Sequence, residues 1–340
     1  MNASYRTDVV IIGAGPSGLF AAFECGMLGL KCHIVDALAQ PGGQCSALYP
    51  EKPIFDIPAI PRILAGQLVE QLLEQVRPFE PTFSLGSKVD RLDREGDRWS
   101  VLTSTGSHID CAAIIFASGA GLLQPNKPDW AGLDRFEQSS VHYSVLSKDA
   151  FAGRDIAIAG GGDSAADWAV ELAGIARTVG LIHRRDKFRA APQTLKKIDE
   201  LIAAGRIEVL APARVTELIG TASTLSHVKL NTPSDPERII ACTDLLLFFG
   251  LVTDTSAYER LGLQVDGMHI TVDPQTCATN LSAIYCIGDA AIYPGKLKLI
   301  LSGFAEAAVA ARQAYGSCRP GKELFFEYST AHGVPSVAIN

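Results

Sequence analysis

The amino-acid sequence predicts an α/β fold with two Rossmann-like dinucleotide-binding domains, the second inserted into the first. Two glycine-rich turns predict it, Gly13-Ala14-Gly15-Pro16-Ser17-Gly18 and Gly160-Gly161-Gly162-Asp163-Ser164-Ala165. Each turn follows a short apolar run typical of a buried strand and precedes small and apolar residues suited to a packed helix. The length of 340 residues is also typical of two domains.

The first turn belongs to a strand, helix and strand over residues 8–12, 19–28 and 31–35. In such a unit Gly13 permits the tight turn, Gly15 lets the backbone approach a pyrophosphate, and Gly18 lets the helix lie close to the strand. Asp36 follows Gly18 by eighteen residues, where a carboxylate binds ribose hydroxyls. The pattern therefore predicts a dinucleotide site rather than a purely structural glycine turn.

The second turn lies between strands predicted at 155–159 and 180–182, and the second of these strands leads into His183-Arg184-Arg185-Asp186-Lys187-Phe188-Arg189. Arginines bind a 2′-phosphate with charge-assisted bonds, whereas an aspartate would repel it. This run therefore predicts NADP(H) rather than NAD(H), with a solvated basic loop as the alternative. The predicted NADP(H)-binding residues are Gly160, Gly162, Asp163, Ser164, Ala165, His183, Arg184, Arg185 and Arg189.

The first domain is expected at 1–118 and 250–340, with a C-terminal extension from about 317. The inserted domain is expected at 119–249, and the crossings near 119–125 and 248–253 are the expected hinges. Further helices are predicted at 64–75 and 302–315, and further strands within 88–116 and at 207–210, 228–230 and 245–249.

Composition limits the function. A net charge of −7 argues against nucleic acid or an anionic membrane as the main partner. The apolar stretch 9–30 is interpreted as strand, turn and helix rather than as a membrane anchor, because it contains Pro16, Ser17 and Glu24 and five glycines interrupt it. Eight cysteines without metal-type spacing, and without a secretory signal pattern ahead of them, predict a reducing cytoplasm and no metal site.

Gly288-Asp289 follows a predicted strand and adds a second element to the first site. Asp289 is placed to bind the hydroxyls of a ribityl chain, while the first turn binds a pyrophosphate. Together they predict FAD, with Gln44 and Tyr49 as further flavin contacts. Taken alone, Gly-Asp would be only a turn signal.

No Cys-x-x-Cys pair occurs in the sequence. In disulfide reductases that resemble glutathione reductase, a second cysteine stands five residues after the first, and five residues after Cys45 the sequence has Pro50. Cys45 is therefore interpreted as an ordinary buried residue, with a single redox-active cysteine as the alternative.

These features resemble the two-dinucleotide flavoproteins that include bacterial thioredoxin reductase. The redox cysteines of that enzyme lie just before the second nucleotide-binding strand, whereas residues 136–144 contain none. The sequence is more similar to ferredoxin–NADP⁺ reductase of the thioredoxin-reductase-like type. The similarity covers nearly the whole chain, and its most specific runs are Gly43-Gln44-Cys45, Leu48-Tyr49-Pro50-Glu51-Lys52-Pro53-Ile54-Phe55-Asp56-Ile57-Pro58, Tyr293-Pro294-Gly295-Lys296-Leu297-Lys298-Leu299-Ile300 and Gly303-Phe304-Ala305-Glu306-Ala307.

The resemblance implies a homodimer with one FAD per subunit, in which a C-terminal extension covers the flavin of the partner subunit. It implies hydride exchange between NADP(H) and FAD, one-electron exchange with ferredoxin or flavodoxin, and no acid or base residue. Tyr49 would stack on one flavin face and Tyr328 on the other, with His332 as the second choice. The expected FAD-binding residues are Gly13, Gly15, Pro16, Ser17, Gly18, Asp36, Gln44, Tyr49, Asp289 and Thr330.

Ferredoxins are acidic, so a basic rim near the flavin is expected to attract them, with Lys52, Lys296 and Lys298 as candidates. Two other functions remain open. One is an NAD(P)H-dependent disulfide or peroxide reductase that uses Cys45 alone, and the other is a non-enzymatic FAD/NADP redox sensor. A flavin-dependent oxygenase would need a substrate cavity and a means of holding a peroxyflavin, and the sequence contains no motif for either.

Overall fold

The structure is a computed structural model that describes residues 3–119, 121, 123–137, 139–253, 256–325 and 333–334. The chain divides into two compact units, one formed by 1–123 with 253–340 and the other by 124–252. The domain boundaries expected from sequence are 118/119 and 249/250. Each lies a few residues before the corresponding boundary in the structure. The crossing segments Leu123–Pro125 and Leu251–Thr253 form a two-stranded sheet of their own.

The helices of the described residues are α1 (Pro16–Met27), α2 (Gln44–Ala47), α3 (Ala65–Val76), α4 (Asp163–Leu172), α5 (Pro192–Ala203), α6 (Ser256–Arg260) and α7 (Ile300–Cys318). Short 3₁₀ turns occur at Arg77–Phe79, Lys148–Phe151 and Gly288–Ala290. The predicted helices 64–75 and 302–315 correspond to α3 and α7, and α7 is longer at both ends.

The first unit is built on a parallel five-stranded sheet. Its strands in spatial order are Ile284–Cys286, Ala113–Phe116, Val9–Ile12, Cys32–Val35 and Thr82–Ser84. The three central strands are apolar except for the buried His33, because both faces of the sheet are covered. Ile11, Ile34 and Ile115 are fully buried, and each contributes about 1.5–3 kcal/mol to folding.

Three smaller sheets complete the first unit. The largest has the strands Ser4–Arg6, His108–Cys111, Arg98–Thr103 and Val89–Glu95 in that order. The other two consist of Val265–Asp266, His269–Thr271 and Ala291–Ile292, and of Pro53–Ile54 with Ile63–Leu64. The first of these two places Ala291–Ile292, directly after the Gly288 turn, beside His269–Thr271.

The second unit repeats the plan of the first. Its parallel sheet has the strands Val141–His142, Asp244–Phe248, Asp155–Gly160, Thr178–Ile182 and Glu208–Leu210 in spatial order. The predicted strand at 228–230 is part of a longer strand in an antiparallel sheet of Arg214–Thr221, Thr224–Asn231 and Arg238–Ala241. The first strand of this sheet was not predicted, because its exposed face carries polar residues such as Arg214 and Glu217.

Both units therefore have a parallel sheet in which a glycine turn joins a central strand to a helix. This confirms the predicted α/β fold class with two Rossmann-like units.

Candidate functional site

In the first glycine turn, a side chain would clash with the backbone at two of the glycines, whereas the third has space beside it. Gly13 has a φ of +112°, and an added Cβ would lie 2.3 Å from the carbonyl oxygen of Ala117. A Cβ on Gly18 would lie 1.9 Å from the carbonyl oxygen of Gly13. A Cβ on Gly15 would meet only the Cα of Gly43, at 3.9 Å. The turn thus leaves space beside Gly15, at the start of α1, where Pro16 is the first residue.

Asp36 is bound to this turn. Its Oδ2 accepts a hydrogen bond from the amide of Ala14 at 2.6 Å, and its Oδ1 accepts one from the amide of Leu38 at 2.7 Å. Burial raises the pKa of Asp36, and these two hydrogen bonds oppose the rise. The carboxylate therefore lies beside the turn, in the position that the sequence predicted.

The Gly288-Asp289 turn meets the start of α1. Gly288 has a φ of +66°, and a Cβ there would lie 2.8 Å from the Ser17 Oγ. A Cβ on Gly303, in α7, would lie 2.1 Å from the same oxygen. The close approach of Ser17, Gly288 and Gly303 brings the first glycine turn and Asp289 into one site.

Cys45 and Tyr49 lie next to Asp289, at α2 and just after it. The Tyr49 hydroxyl lies close to the Cys45 sulfur. Cys45 is 2% exposed, and burial, together with the negative charge of Asp289, raises the pKa of its thiol to about 11. Burial likewise raises the pKa of the Tyr49 phenol. Gln44 is the first residue of α2, and its Nε2 lies 3.4 Å from a Cβ built on Gly119.

Glu306 is a site residue that the sequence did not reveal. Its Oε2 accepts a hydrogen bond from the Gly288 amide at 2.7 Å, and its Oε1 accepts one from the Tyr293 hydroxyl at 2.7 Å. The same Oε1 forms an ion pair with the Lys296 ammonium. A single acidic residue in the alanine-rich stretch of α7 was the only available signal, because its partners are set by the fold.

The expectation that Lys296 lies on a basic rim is wrong. Its side chain is 1% exposed because it points to Glu306. Lys298 is exposed, and its ammonium donates a hydrogen bond to the His269 Nε2 at 2.8 Å. Two residues apart in sequence, these lysines thus have opposite environments.

The second glycine turn lies wholly in the second unit. A Cβ on Gly160 would lie 2.8 Å from the carbonyl oxygen of Phe248, so this glycine is required for close packing. A Cβ on Gly161 would lie 2.0 Å from the His183 Cε1, which means that the imidazole covers this part of the turn. A Cβ on Gly162 would meet only the carbonyl oxygen of Arg189, at 4.0 Å. The turn is therefore open at Gly162, where α4 begins.

The basic run is fixed to this turn by its backbone. The Arg189 amide donates to the Gly161 carbonyl at 2.7 Å, and the Ala191 amide donates to the Asp163 Oδ1 at 2.9 Å. Burial and the neighbouring arginine cations lower the pKa of His183. Arg184 and Arg185 are exposed, and neither guanidinium forms a hydrogen bond or ion pair with another residue in the described ranges. Of the other predicted residues, Ser164 and Ala165 lie in the first turn of α4.

A cavity of about 700 Å³ connects the second turn with the basic run. His183, Arg184, Arg185 and Arg189 all line it. Three further lining residues were not predicted from the sequence, namely Lys127, Trp130 and Arg214. The Trp130 ring packs edge-on against Phe249, another lining residue, at 5.8 Å. The cavity thus combines a helix start, a cationic rim and an aromatic wall.

Three predicted residues cannot be placed. Tyr328, Thr330 and His332 lie outside the described residues. Among the residues that are described, no cluster of His, Cys, Asp and Glu could hold a metal ion. No helix there is long and apolar enough to cross a membrane.

Comparisons with known proteins agree with this arrangement. Residues 7–314 match the family model for pyridine nucleotide-disulphide oxidoreductases. A ferredoxin–NADP reductase of Rhodospirillum rubrum is 49% identical over 336 residues, which are 98% of this chain and 97% of that protein. One of Paramagnetospirillum magneticum is 48% identical over 334 residues, with coverage of 98% and 99%.

Solved structures support the fold alone, because their sequences are more distant. Thioredoxin reductase of Lactococcus lactis is 24% identical with a TM-score of 0.77, covering 92% of this chain and 99% of that one. Bacillithiol disulfide reductase of Bacillus cereus is 20% identical with a TM-score of 0.73, covering 91% and 98%. From the family model and the full-length relatives, the chain belongs to the pyridine nucleotide-disulphide oxidoreductases and, within them, to the ferredoxin–NADP reductases of the thioredoxin-reductase-like type.

Proposed function

We propose that this protein is a FAD-dependent ferredoxin–NADP⁺ reductase, which exchanges hydride between NADP(H) and FAD and single electrons with ferredoxin or flavodoxin. The observation that carries this proposal is a pair of nucleotide-binding turns without a redox dithiol. All eight cysteines lie in the described residues and none is in a disulfide. Because the sequence also has no Cys-x-x-Cys pair, FAD, when bound, would supply the electron transfer without a protein dithiol.

The residues of the first unit fit FAD. Space beside Gly15 and the free amides at the start of α1 accommodate a pyrophosphate. Asp36 binds the ribose of the adenosine half, and Asp289 binds the ribityl chain. Tyr49 contributes one aromatic face, and a ring from the C-terminal extension, Tyr328 or His332, contributes the other. When bound, FAD supplies the conversion between two-electron and one-electron transfer.

The residues of the second unit fit NADP(H). The start of α4 at Gly162 receives the pyrophosphate, and the exposed Arg184 and Arg185 bind the 2′-phosphate. His183 covers Gly161, and burial and the nearby cations lower the pKa of its imidazole, so its main effect is on the shape of the turn. Binding at the 2′-phosphate gives the preference for NADP(H).

The chain contributes positioning rather than acid or base catalysis. A phenol is protonated at neutral pH, and burial raises the pKa of Tyr49 further, so its side chain acts as an aromatic surface and a hydrogen-bond donor. The two units must bring the nicotinamide and the flavin together, which is an orientation task. The crossings between the units are the proposed hinges for it.

The finer assignments are also part of the proposal. The protein acts as a homodimer in the cytoplasm, with the C-terminal extension of each subunit over the flavin of its partner. Ferredoxin approaches the first unit, and Lys298 and Lys52 attract it. Lys298 lies between Leu297 and Leu299, which are 63% and 38% exposed, so this segment offers both a cation and apolar surface.

The Cys45 alternative is disfavoured by the chemistry of the thiol. With a pKa of about 11, only about one thiol in ten thousand is a thiolate at pH 7, and the thiolate is the reactive form. Burial also keeps a disulfide or peroxide substrate away from the sulfur. The redox-sensor alternative is distinguished by turnover, since a sensor would not reduce an acceptor faster than free flavin does.

The test is steady-state reduction of a purified ferredoxin by the FAD-loaded protein, with NADPH compared to NADH. We expect reduction with NADPH that exceeds the rate with free FAD, and a clear preference over NADH. Failure with every ferredoxin and flavodoxin tested would overturn the proposed function. Equal rates with both nicotinamides would overturn only the assignment of Arg184 and Arg185.

A further inference from the structure

The proposed reaction leaves the function of one buried ionic group unexplained. Glu306 is 7% exposed in the middle of α7, and the Lys296 side chain paired with it is 1% exposed. Neither group reaches solvent, so neither can attract an acidic partner protein. Their surroundings instead place them directly beneath the Gly288-Asp289 turn.

The hydrogen bonds and the ion pair of Glu306 hold both ends of the segment 288–296. The Gly288 amide, one residue before Asp289, donates to Oε2. The Tyr293 hydroxyl and the Lys296 ammonium, which come after Asp289 in the chain, both bond Oε1. One carboxylate therefore fixes the chain on either side of Asp289. It does so where the backbone is unusual, because Gly288 adopts a φ of +66°.

Stability alone does not account for this arrangement. A buried ion pair usually contributes no more to folding than well-packed apolar side chains of the same volume. In some proteins such groups instead specify one arrangement of the chain. Here the arrangement specified is the position of Asp289 next to Ser17 and the first glycine turn.

We propose that Glu306, paired with Lys296, is a positioning residue for FAD that sets the location of Asp289. This inference rests on the proposed FAD site in the first unit. Glu306 does not touch the cofactor in this account. It acts through the Gly288 amide and through the segment that ends at Lys296.

The experiment measures FAD binding to apo-protein by the change in flavin fluorescence, for Glu306→Gln, Lys296→Met and the double variant. Each single change should weaken FAD binding at least tenfold, because it leaves one buried charge without its partner and loosens the turn. In the double variant no charge is unpaired, so its melting temperature should return close to the wild-type value. Its FAD affinity should stay at least fivefold below wild type, because a neutral amide oxygen accepts the Gly288 hydrogen bond more weakly than a carboxylate does.

Asp8→Asn is the matched control. Asp8 pairs with Arg319 at the end of α7, at 2.7 Å, away from the Gly288 turn. This variant should lower the melting temperature of the protein while its FAD dissociation constant stays within threefold of wild type. A loss of FAD affinity that tracks the loss of melting temperature equally in both ion pairs would show that Glu306 is structural only.

Two outcomes separate this inference from the proposed function. If wild-type apo-protein binds FAD and Glu306→Gln or, should that variant not fold, the double variant binds it equally well, the inference is wrong and the proposed function stands. If wild-type apo-protein does not bind FAD, the proposed function fails and the inference fails with it. The visible absorption band of bound FAD gives a second readout, since a displaced turn should change its fine structure.

Discussion

The two glycine turns of this protein share a backbone plan and differ in the residues that come directly after the second strand of each unit. After the strand Cys32–Val35 comes Asp36, whose two carboxylate oxygens accept amide hydrogen bonds from the chain. After the strand Thr178–Ile182 comes a run whose exposed Arg184 and Arg185 have no partner in the described part of the chain. In the proposed function the glycines form the nucleotide site, and the residues after the second strand decide which nucleotide binds.

The open glycines make the same point. Gly15 and Gly162 stand at the start of α1 and α4, and an added Cβ would meet only one protein atom within 4 Å at each. Gly13 and Gly160 are blocked by backbone carbonyls. One glycine in each turn is thus required by close packing, and another is left open; we propose that the open one faces the ligand.

We expect the largest effects on stability and on FAD binding from substitutions at Gly13 and Gly15. These two positions test directly whether one glycine is needed for packing and the other for the ligand. Gly13→Ala places a Cβ 2.3 Å from a backbone oxygen at a φ of +112°, and should destabilise the first unit by more than about 4 kcal/mol. Gly15→Ala should leave stability nearly unchanged and weaken FAD binding at least tenfold. Urea unfolding and FAD titration measure the two quantities, and equal loss of stability in both variants would refute the division.

The next effect concerns specificity at the second turn. In Arg184→Ala with Arg185→Ala, two charge-assisted contacts to the 2′-phosphate are lost, at about 1.5–3 kcal/mol each. The value of kcat/KM for NADPH should fall by more than about 100-fold. The value for NADH should change by less than about threefold.

Lys196→Ala with Lys197→Ala is the control, since it removes the same charge from exposed positions on α5 outside the cavity. It should leave the preference for NADPH unchanged. A parallel loss of NADPH and NADH activity in the arginine variant would mean that the basic run does not read the 2′-phosphate.

A third prediction concerns pH and the strand before Asp36. His33 is 1% exposed and lies 2.8 Å from the Ser84 hydroxyl. Burial lowers the pKa of His33 to about 4. Between that value and the unfolded value near 6.5 the unfolded chain binds more protons, so stability falls as pH falls through this window.

We expect the contribution of His33 to the free energy of unfolding to fall by about 2 kcal/mol between pH 7 and pH 5. Urea unfolding at both pH values checks it, with His33→Leu as the non-titrating reference. The wild-type protein should lose about that much more stability than the variant. Identical pH dependence in the two proteins would show that the buried imidazole is not the group responsible.

The smallest effect is expected at Cys45. Because its thiol is buried and protonated, Cys45→Ser should change the rate of ferredoxin reduction by less than about twofold. A loss of more than tenfold, with FAD still bound, would support the single-cysteine mechanism instead.

Much of this could be predicted from the sequence, because glycine spacing, the apolar strands and the charges after them are local patterns. The fold class and both turns were predicted from such patterns, and Asp36 lies where its spacing from Gly18 placed it. The strand Arg214–Thr221 was not predicted because its exposed face is polar, so apolar content did not mark it. Local sequence patterns therefore predict the secondary-structure elements better than they predict which elements pack side by side.

Lys296 illustrates what a local pattern cannot give. In sequence it resembles Lys298, and both come after the same Pro-Gly turn. Only the packing of α7 brings Glu306 to Lys296 and buries the pair, whereas Lys298 remains exposed next to His269. Lys127, Trp130 and Arg214 likewise line the cavity at the second glycine turn from segments outside the turn and the basic run.

The central claim is that electrons pass between NADP(H) and the acceptor through FAD without a protein dithiol. An anaerobic reductive titration of the FAD-loaded protein tests it most directly, by counting the electrons taken up per FAD. The account predicts two electrons per FAD, complete bleaching of the flavin by NADPH, and the same count in Cys45→Ser. Uptake of four electrons per FAD, or a count that falls when Cys45 is replaced, would contradict it.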